Sequence, residues 1–399
     1  MSTVKLEKFI KASPAEIYHY FTSSTALRDW MCEVATVTAQ PGGHLFMSWS
    51  GEYYTSGEYI VMEPEKSVSF TWFGKGEPHK TRVDVTLKKK RGGTLLKLVH
   101  RGTGKGQKWD AISAVYKKEW QNALKNLASV TEQGPDLRIT RRPMLGIYLG
   151  DFDSDIAARL GCPVDFGSRL DGVLDGLGAA KAGLQKDDVI VAVDGHELTA
   201  GTTLISILGS KHAGDVVEVS YYRGAEKNTV KMTLSGRPIP TIPASCLELA
   251  KEVEHQYQQS IIDIESTIGT ASEAECAYKP GEDEWSCNAV LAHLIQGEYG
   301  WQNRASEIIS GTEGAYDDYS GNLQARIDAT LSIYPTKEEL IKQLKTAQTE
   351  TVAFLRGAPA DLLTHKGRFW KLVHEVSQNP YHLQSHLDQM QKAIQSARK

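Results

Sequence analysis

Ser235-Gly236-Arg237-Pro238-Ile239-Pro240-Thr241-Ile242-Pro243 decides how this chain is put together. Its prolines fix the backbone and remove amide donors, so the stretch can continue neither a helix nor a central strand and acts as a semi-rigid spacer. A second break runs through Glu132-Gln133-Gly134-Pro135-Asp136-Leu137 and on to Arg141-Arg142-Pro143. A chain of 399 residues exceeds what one core usually serves, ~250–300 residues. The two breaks leave segments of about 130, 95 and 155 residues, each a reasonable domain size.

The first segment opens with alternating residues from Val4 to Phe9, then Ser13-Pro14-Ala15-Glu16. That predicts a strand, then a helix with a serine cap, proline in its first turn and an acid to meet the dipole. In Val68-Ser69-Phe70-Thr71-Trp72 and Val83-Asp84-Val85-Thr86-Leu87 every second residue is apolar, so one face of a sheet is buried. A helix from about Trp109 to Val130 closes the segment, with Ile112, Tyr116, Trp120, Ala123 and Leu127 at helical spacing. Strand, helix, many strands and a long helix predict an antiparallel sheet curled around its last helix.

From Leu6 to about Gly134 this segment resembles the START-like (SRPBCC) superfamily, specifically the activator of heat-shock protein 90 ATPase homologue family. The likeness rests on Ser13-Pro14-Ala15-Glu16, Leu27 with Trp30, Pro41-Gly42-Gly43, Gly57-Glu58-Tyr59, Phe70-Thr71-Trp72, Gly93-Thr94 and Trp120 with Leu124. It implies a helix-grip domain over 1–134 enclosing an apolar small molecule, with Trp49, Phe70, Trp72, Leu96, Leu98 and Tyr116 lining the pocket. Alternating apolar residues are core by default, so each of these side chains reads first as part of a solid interior and second as a ligand wall.

The second segment carries Leu145-Gly146-Ile147, Ala182-Gly183-Leu184, Asp188-Val189-Ile190 and Asp194-Gly195. It resembles a PDZ domain of the kind attached to bacterial proteases, a small β-barrel or sandwich over 142–237. Asp187 stands where that family usually has glycine. The resemblance implies a C-terminal or extended peptide as partner. Leu145, Gly146 and Ile147 match the loop whose amides cradle a carboxylate, and the strand after it offers an edge to the peptide. The helix near Thr202 to Ser210 would form the far wall; its stripes Thr203/Ile207 and Leu204/Leu208 cannot both face the core.

The third segment is helical: Leu247 to about Ile268, Cys287 to Gly311, Lys337 to Leu355, and from Phe369 on with an interruption at Asn379-Pro380. Four such helices bury their stripes as an all-α bundle over 244–399. His382 and His386 are four apart and share one helix face, and His293 lies in another helix. Three imidazoles converging on one ion with a position left open is a catalytic metal geometry. Trp285-Ser286, His293-Leu294, Glu298 and Asn379-Pro380-Tyr381-His382 with His386 resemble the DinB-like metal-binding bundle superfamily. That implies a divalent ion, zinc or nickel, on His293, His382 and His386, and a thiol-transferase type of enzyme among its possibilities. Glu298, five residues after His293, turns partly away from the ligand face and makes a poor general base; no other residue stands out as catalytic, and His365 and His374 are spare candidates.

The net charge of -4 gives no electrostatic reason to expect nucleic acid or an anionic membrane. Lys88-Lys89-Lys90-Arg91 before Gly92-Gly93 reads as a solvated hairpin end. No apolar run approaches the ~20 residues of a membrane span. Met1 to Lys8 shows no secretory leader, and Cys32, Cys162, Cys246, Cys276 and Cys287 are scattered, so reduced thiols in a cytoplasm are expected. The expectation is therefore a multidomain α+β chain that buries apolar side chains in three separate places. It acts as a cytoplasmic ligand- and peptide-binding adaptor; a metal-dependent enzyme (thiol transferase or hydrolase) or a co-chaperone-like regulator are the alternatives.

Overall fold

The computed structural model describes residues 3–49, 53–199, 202–209, 211–236, 239–282, 284–314, 323–377 and 379–399, without the side chains of 379–382, 384 and 385. The sequence order opens with β1 (Val4–Ile10), α1 (Pro14–Thr22), α2 (Ser24–Trp30), β2 (Val34–Val37), β3 (His44–Ser48), β4 (Tyr54–Glu63), β5 (Ser67–Gly74), β6 (Thr81–Lys90), β7 (Gly93–Arg101) and α3 (Gln107–Glu132). The strands form one antiparallel sheet in the order β1-β7-β6-β5-β4-β3-β2. Ser13 caps α1 by accepting from the Glu16 amide, with Pro14 inside the first turn, as the sequence predicts. The alternation in β5 and β6 holds: Val68, Phe70, Trp72, Val83, Val85 and Leu87 are all buried. Helix α3 covers that face through Trp109, Tyr116, Trp120, Leu124 and Leu127, the helix-grip arrangement.

Next come α4 (Leu137–Thr140), β8 (Pro143–Met144), β9 (Ile147–Gly150), α5 (Ser154–Leu160), β10 (Ser168–Val173), α6 (Gly178–Lys181), β11 (Val189–Val193), β12 (His196–Glu197), α7 (Leu204–Leu208), β13 (Val216–Arg223), β14 (Glu226–Thr233) and β15 (Ser235–Gly236). The main sheet runs β14-β13-β11-β10-β9, with β12 on β11. Asp187 takes the left-handed backbone, φ +68°. Glycine serves there without steric cost; Asp is among the residues that tolerate the region, and its carboxylate accepts from Arg169 Nη1 at 2.7 Å. Asp188, fully buried, is gripped by two nitrogens of Arg223 at 2.8 Å each.

The last segment holds α8 (Cys246–Ile268), α9 (Glu273–Ala277), α10 (Cys287–Ser310), α11 (Leu323–Ile333), α12 (Lys337–Arg356), α13 (Lys366–Val376) and α14 (Asn379–Ala397). Helices α8, α10, α12 and α14 pack on one another as the bundle. The stretch from Phe369 on is two helices, α13 and α14, rather than one interrupted helix. Pro380 follows the first residue of α14, where its missing N–H costs no helical bond.

The chain divides into two compact units: Met1–Ser48, Tyr54–Pro135 and Pro240–Lys399 form one, and Trp49–Tyr53 with Asp136–Ile239 form the other. The sheet domain and the bundle thus share a unit, joined largely through α13. A Cβ on Gly367 would stand 2.5 Å from Val130 Cγ1, so only glycine lets α13 lie this close to α3. Lys366 Nζ donates to the Glu132 carbonyl at 2.6 Å. Beside this contact, Lys371 Nζ lies 3.2 Å from Asp29 and 2.7 Å from Glu313, whose side chains are 6% and 3% exposed. The Glu313 amide donates to Thr25 Oγ1 at 3.1 Å, and the Arg28 guanidinium donates to the Glu313 carbonyl. Burial pushes the Glu313 carboxyl up, but Lys371 and Arg304 outweigh it and hold it below the usual carboxylate range.

Lys371→Ala should cost about 3–5 kcal/mol, because removing one partner strands buried carboxylates. Urea unfolding followed by circular dichroism measures it, and a loss under ~1 kcal/mol would show that the cluster behaves as a solvated pair. Lys371→Arg should retain most of the stability.

Candidate functional site

Ser286 caps α10 by accepting from the Ala289 amide at 3.1 Å, which starts the helix seven residues before His293. His293 is half-buried between two rings, Trp285 at 5.0 Å and His386 at 4.8 Å between centroids. Two of the three expected metal ligands, from separate helices, are thus brought together. The side chain of His382 lies outside the described residues; its backbone stands one turn before His386 on α14. Among the described residues there is no group of three or more His, Cys, Asp or Glu side chains arranged to hold a metal.

The residues present fit an imidazole-bound ion. His386 Nδ1 lies 3.0 Å from Gln389 Oε1. Since that oxygen can only accept, Nδ1 carries the proton and Nε2 the lone pair, the tautomer a metal-bound histidine needs. His374 stacks on Trp370 in α13, 5.0 Å away with rings nearly parallel. His365 precedes α13, and burial and Arg368 lower its proton affinity.

Glu298 faces elsewhere, as its spacing from His293 predicts. It is buried, and its Oε1 accepts from the Tyr257 hydroxyl and the Thr351 hydroxyl, both at 2.5 Å. Burial raises its proton affinity; the two hydroxyls act against that. Glu298 lines a cavity of about 450 Å³ among α8, α10, α12 and α14, with Leu294, Leu344, Leu383 and Leu387 on its apolar side. The sequence reading missed this cavity, because its opening depends on a side chain that Gly297 does not have.

In the second unit, Gly146 sits at φ +77° between buried Leu145 and half-buried Ile147. The Leu145 carbonyl accepts from the Ala179 amide and the Gly146 carbonyl from the Leu174 amide, each at 2.9 Å. Among the described residues the amides of Leu145 and Gly146 donate to nothing, so the loop's acceptors are spent and its donors remain. Among the described residues strand β9 pairs with β10 alone and is a sheet edge. Its Tyr148 and Leu149 are 53% and 59% exposed. On α7, Leu204 and Ile207 are buried and Leu208 packs partly buried against the same core, while Thr203 and Ile205 are exposed, so of the two stripes Leu204/Leu208 faces inward, joined by Ile207.

In the sheet domain, Phe70, Trp72, Leu96, Leu98 and Tyr116 are brought together and buried. Trp49 is not among them; it is half-buried against Tyr53 at 5.5 Å, at the end of the β3–β4 hairpin. The centre of this core is polar, which alternation could not reveal. His100, fully buried, receives the Trp120 indole N–H on Nδ1 at 3.1 Å and reaches Thr81 Oγ1 through Nε2 at 2.8 Å. It stacks on Tyr116, whose hydroxyl donates to Glu77. Burial pushes His100 down to about 3, so it stays neutral. The gap among Phe21, Leu27, Trp30 and Phe70 leaves no room for a water molecule.

These features define a helix-grip sheet domain, a second small sheet domain and a helical bundle in one chain. Family models match in the same order: Activator of Hsp90 ATPase homolog 1-like protein over residues 11–132, the PDZ domain over 164–234 and the DinB superfamily over 256–390. The Probable periplasmic serine endoprotease DegP-like of Marinomonas sp. (strain MWYL1) is 30% identical over 97 residues, 24% of this chain and 21% of that protein. The Serine protease Do-like HtrA of Lactococcus lactis subsp. lactis (strain IL1403) is 38% identical over 99 residues, 24% of each chain. This chain thus spans only about a fifth to a quarter of these relatives' length. Among solved structures, the Aha1 dimer from Colwellia psychrerythraea is similar at 20% identity and a TM-score of 0.30, covering 33% of this chain and 96% of that one. The protein CV1439 from Chromobacterium violaceum is similar at 28% identity and a TM-score of 0.29, covering 34% and 98%. No helix among the described residues is long and apolar enough to cross a membrane.

Tyr257→Phe and Thr351→Val should each lower stability by ~1–3 kcal/mol, since each leaves the buried Glu298 carboxyl short of a donor. Thermal and urea unfolding check this. Unchanged midpoints in both variants would show that Glu298 does not depend on these hydroxyls.

Proposed function

We propose that the chain is a modular adaptor whose middle unit captures the C-terminus of a peptide while the bundle carries a divalent metal. The observation that supports it best is the pairing of two unspent loop amides at Leu145 and Gly146 with the open edge of β9. A peptide carboxylate takes the amides, and the chain behind it adds to the sheet as an antiparallel strand. Ile147, first in β9, sets the register of that strand. The exposed Tyr148 and Leu149 offer apolar contact to its side chains.

In the bundle, His293, His382 and His386 would hold zinc or nickel, with Gln389 fixing the His386 tautomer. Such an ion, when bound, polarises a ligand oxygen or lowers the pKa of a bound water or thiol. The cavity beside these helices favours a second reading, a metal-dependent enzyme of the thiol-transferase type whose other modules recruit substrate. The five cysteines are buried free thiols, which supports a reducing, cytoplasmic compartment.

Fluorescence anisotropy with a labelled peptide ending in an apolar residue tests the groove. The free acid should bind, and amidating its end should abolish binding. Gly146→Ala puts a Cβ 2.4 Å from Leu177 Cβ and should weaken binding roughly ten-fold, ~1.4 kcal/mol or more. An amidated peptide that binds as well as the acid defeats the reading. For the bundle, elemental analysis of the purified chain should find a stoichiometric first-row divalent ion that His293→Ala or His386→Ala removes. Equal metal content in wild type and variants would place the ion elsewhere.

A further inference from the structure

Gly297 stands in the middle of α10, and its backbone is not in the left-handed region that requires glycine. No atom lies within 4 Å of where its Cβ would be, so no close approach requires it either. A glycine inside a helix costs about 1 kcal/mol relative to alanine. What it leaves is space, since Gly297 lies on the wall of the bundle cavity. At about 450 Å³ that cavity falls within the range of small-molecule sites, ~300–1,000 Å³.

The next residue gives the space its chemistry. Glu298 is 8% exposed. Both hydroxyl donors, from Tyr257 and Thr351, go to its Oε1. Among the described residues Oε2 receives no hydrogen bond, and it is not one of the oxygens sealed from solvent, so it stays open to a donor that enters the space Glu298 lines. Asp263 adds a second acid to the lining, and no lysine or arginine contributes. The lining also holds the polar side chains of His255, Gln259, Ser260 and Gln348 and the hydrocarbon of Ile264, Leu294, Leu344 and Leu387. An occupant that satisfies both the acids and the hydrocarbon carries a positive hydrogen-bond donor at one end and an apolar body at the other.

We propose that this cavity binds a small organic ammonium ion, its N–H groups on Glu298 Oε2 and its hydrocarbon or aromatic body among the leucines. The site is separate from the histidines, none of which of the expected ligand set lines it. It therefore does not depend on metal, and it holds whether or not the middle unit binds peptides.

Isothermal titration calorimetry on the full chain tests this with phenethylamine and n-hexylamine against their neutral and anionic counterparts, 2-phenylethanol and 3-phenylpropanoate. The amines should bind saturably, the alcohol roughly ten-fold more weakly and the carboxylate not at all. Glu298→Gln should weaken amine binding by about ten-fold or more. Gly297→Leu should abolish it while the melting temperature holds or rises, because leucine favours the helix and fills the space. That second variant separates loss of the site from loss of the fold. Excess EDTA should change nothing. Four results overturn the proposal: no saturable binding of either amine, equal affinity for amine and alcohol, binding that survives both substitutions, or binding that EDTA removes and Glu298→Gln does not, which would put the amine on a metal.

Discussion

Helix α13 meets the sheet domain through a residue with no side chain. Gly367 lets the helix lie against Val130, and the charges around it complete the contact: Lys371 reaches Asp29 on α2 and Glu313 in the stretch that follows α10. This contact fixes more than itself. Buried carboxylates tolerate no loose partner, so the position of α13 relative to α2 and α10 is held to within a hydrogen bond's reach. Since α10 also carries His293 and Glu298, the docking of the sheet domain and the framing of the bundle's interior share one structural element.

The two candidate binding features differ in kind. The middle unit offers backbone: amides at Leu145 and Gly146 and the edge of β9. Backbone donors read a main-chain carboxylate and leave side-chain selectivity to the walls. The bundle offers side chains held by other side chains. Gln389 orients His386, while Tyr257 and Thr351 occupy one oxygen of Glu298 and leave the other. Pre-set groups of this sort bind without first being ordered, which is where much of the cost of association otherwise falls.

Local rules made much of this legible. The Ser13-Pro14 start, the alternation of β5 and β6, and the four long helices of the bundle each follow from chemistry within a few residues. The contents of the interiors did not. His100 occupies an inward position of β7 that reads the same whether the ring faces water or Trp120. The family resemblance put Trp49 in the wall of the apolar pocket, yet it packs on Tyr53 at the hairpin end. The break between α13 and α14 is signalled by Asn379-Pro380, but that α13 turns toward the sheet domain depends on Gly367, whose meaning is a neighbour 237 positions away in Val130. A void is harder still, since Gly297 announces it only by what is missing.

The middle unit is an insertion. Its main span, Asp136–Ile239, interrupts a body whose two halves end at Pro135 and resume at Pro240. The halves are therefore covalently joined only through the inserted polypeptide, while their own interface supplies the rest of their cohesion. Loop-closure entropy grows only logarithmically with length, so a guest domain of this size adds little to the cost of bringing the halves together. Nicking the guest would convert an intramolecular association into a two-fragment complex, and the fragments' affinity would then report directly on the glycine seam.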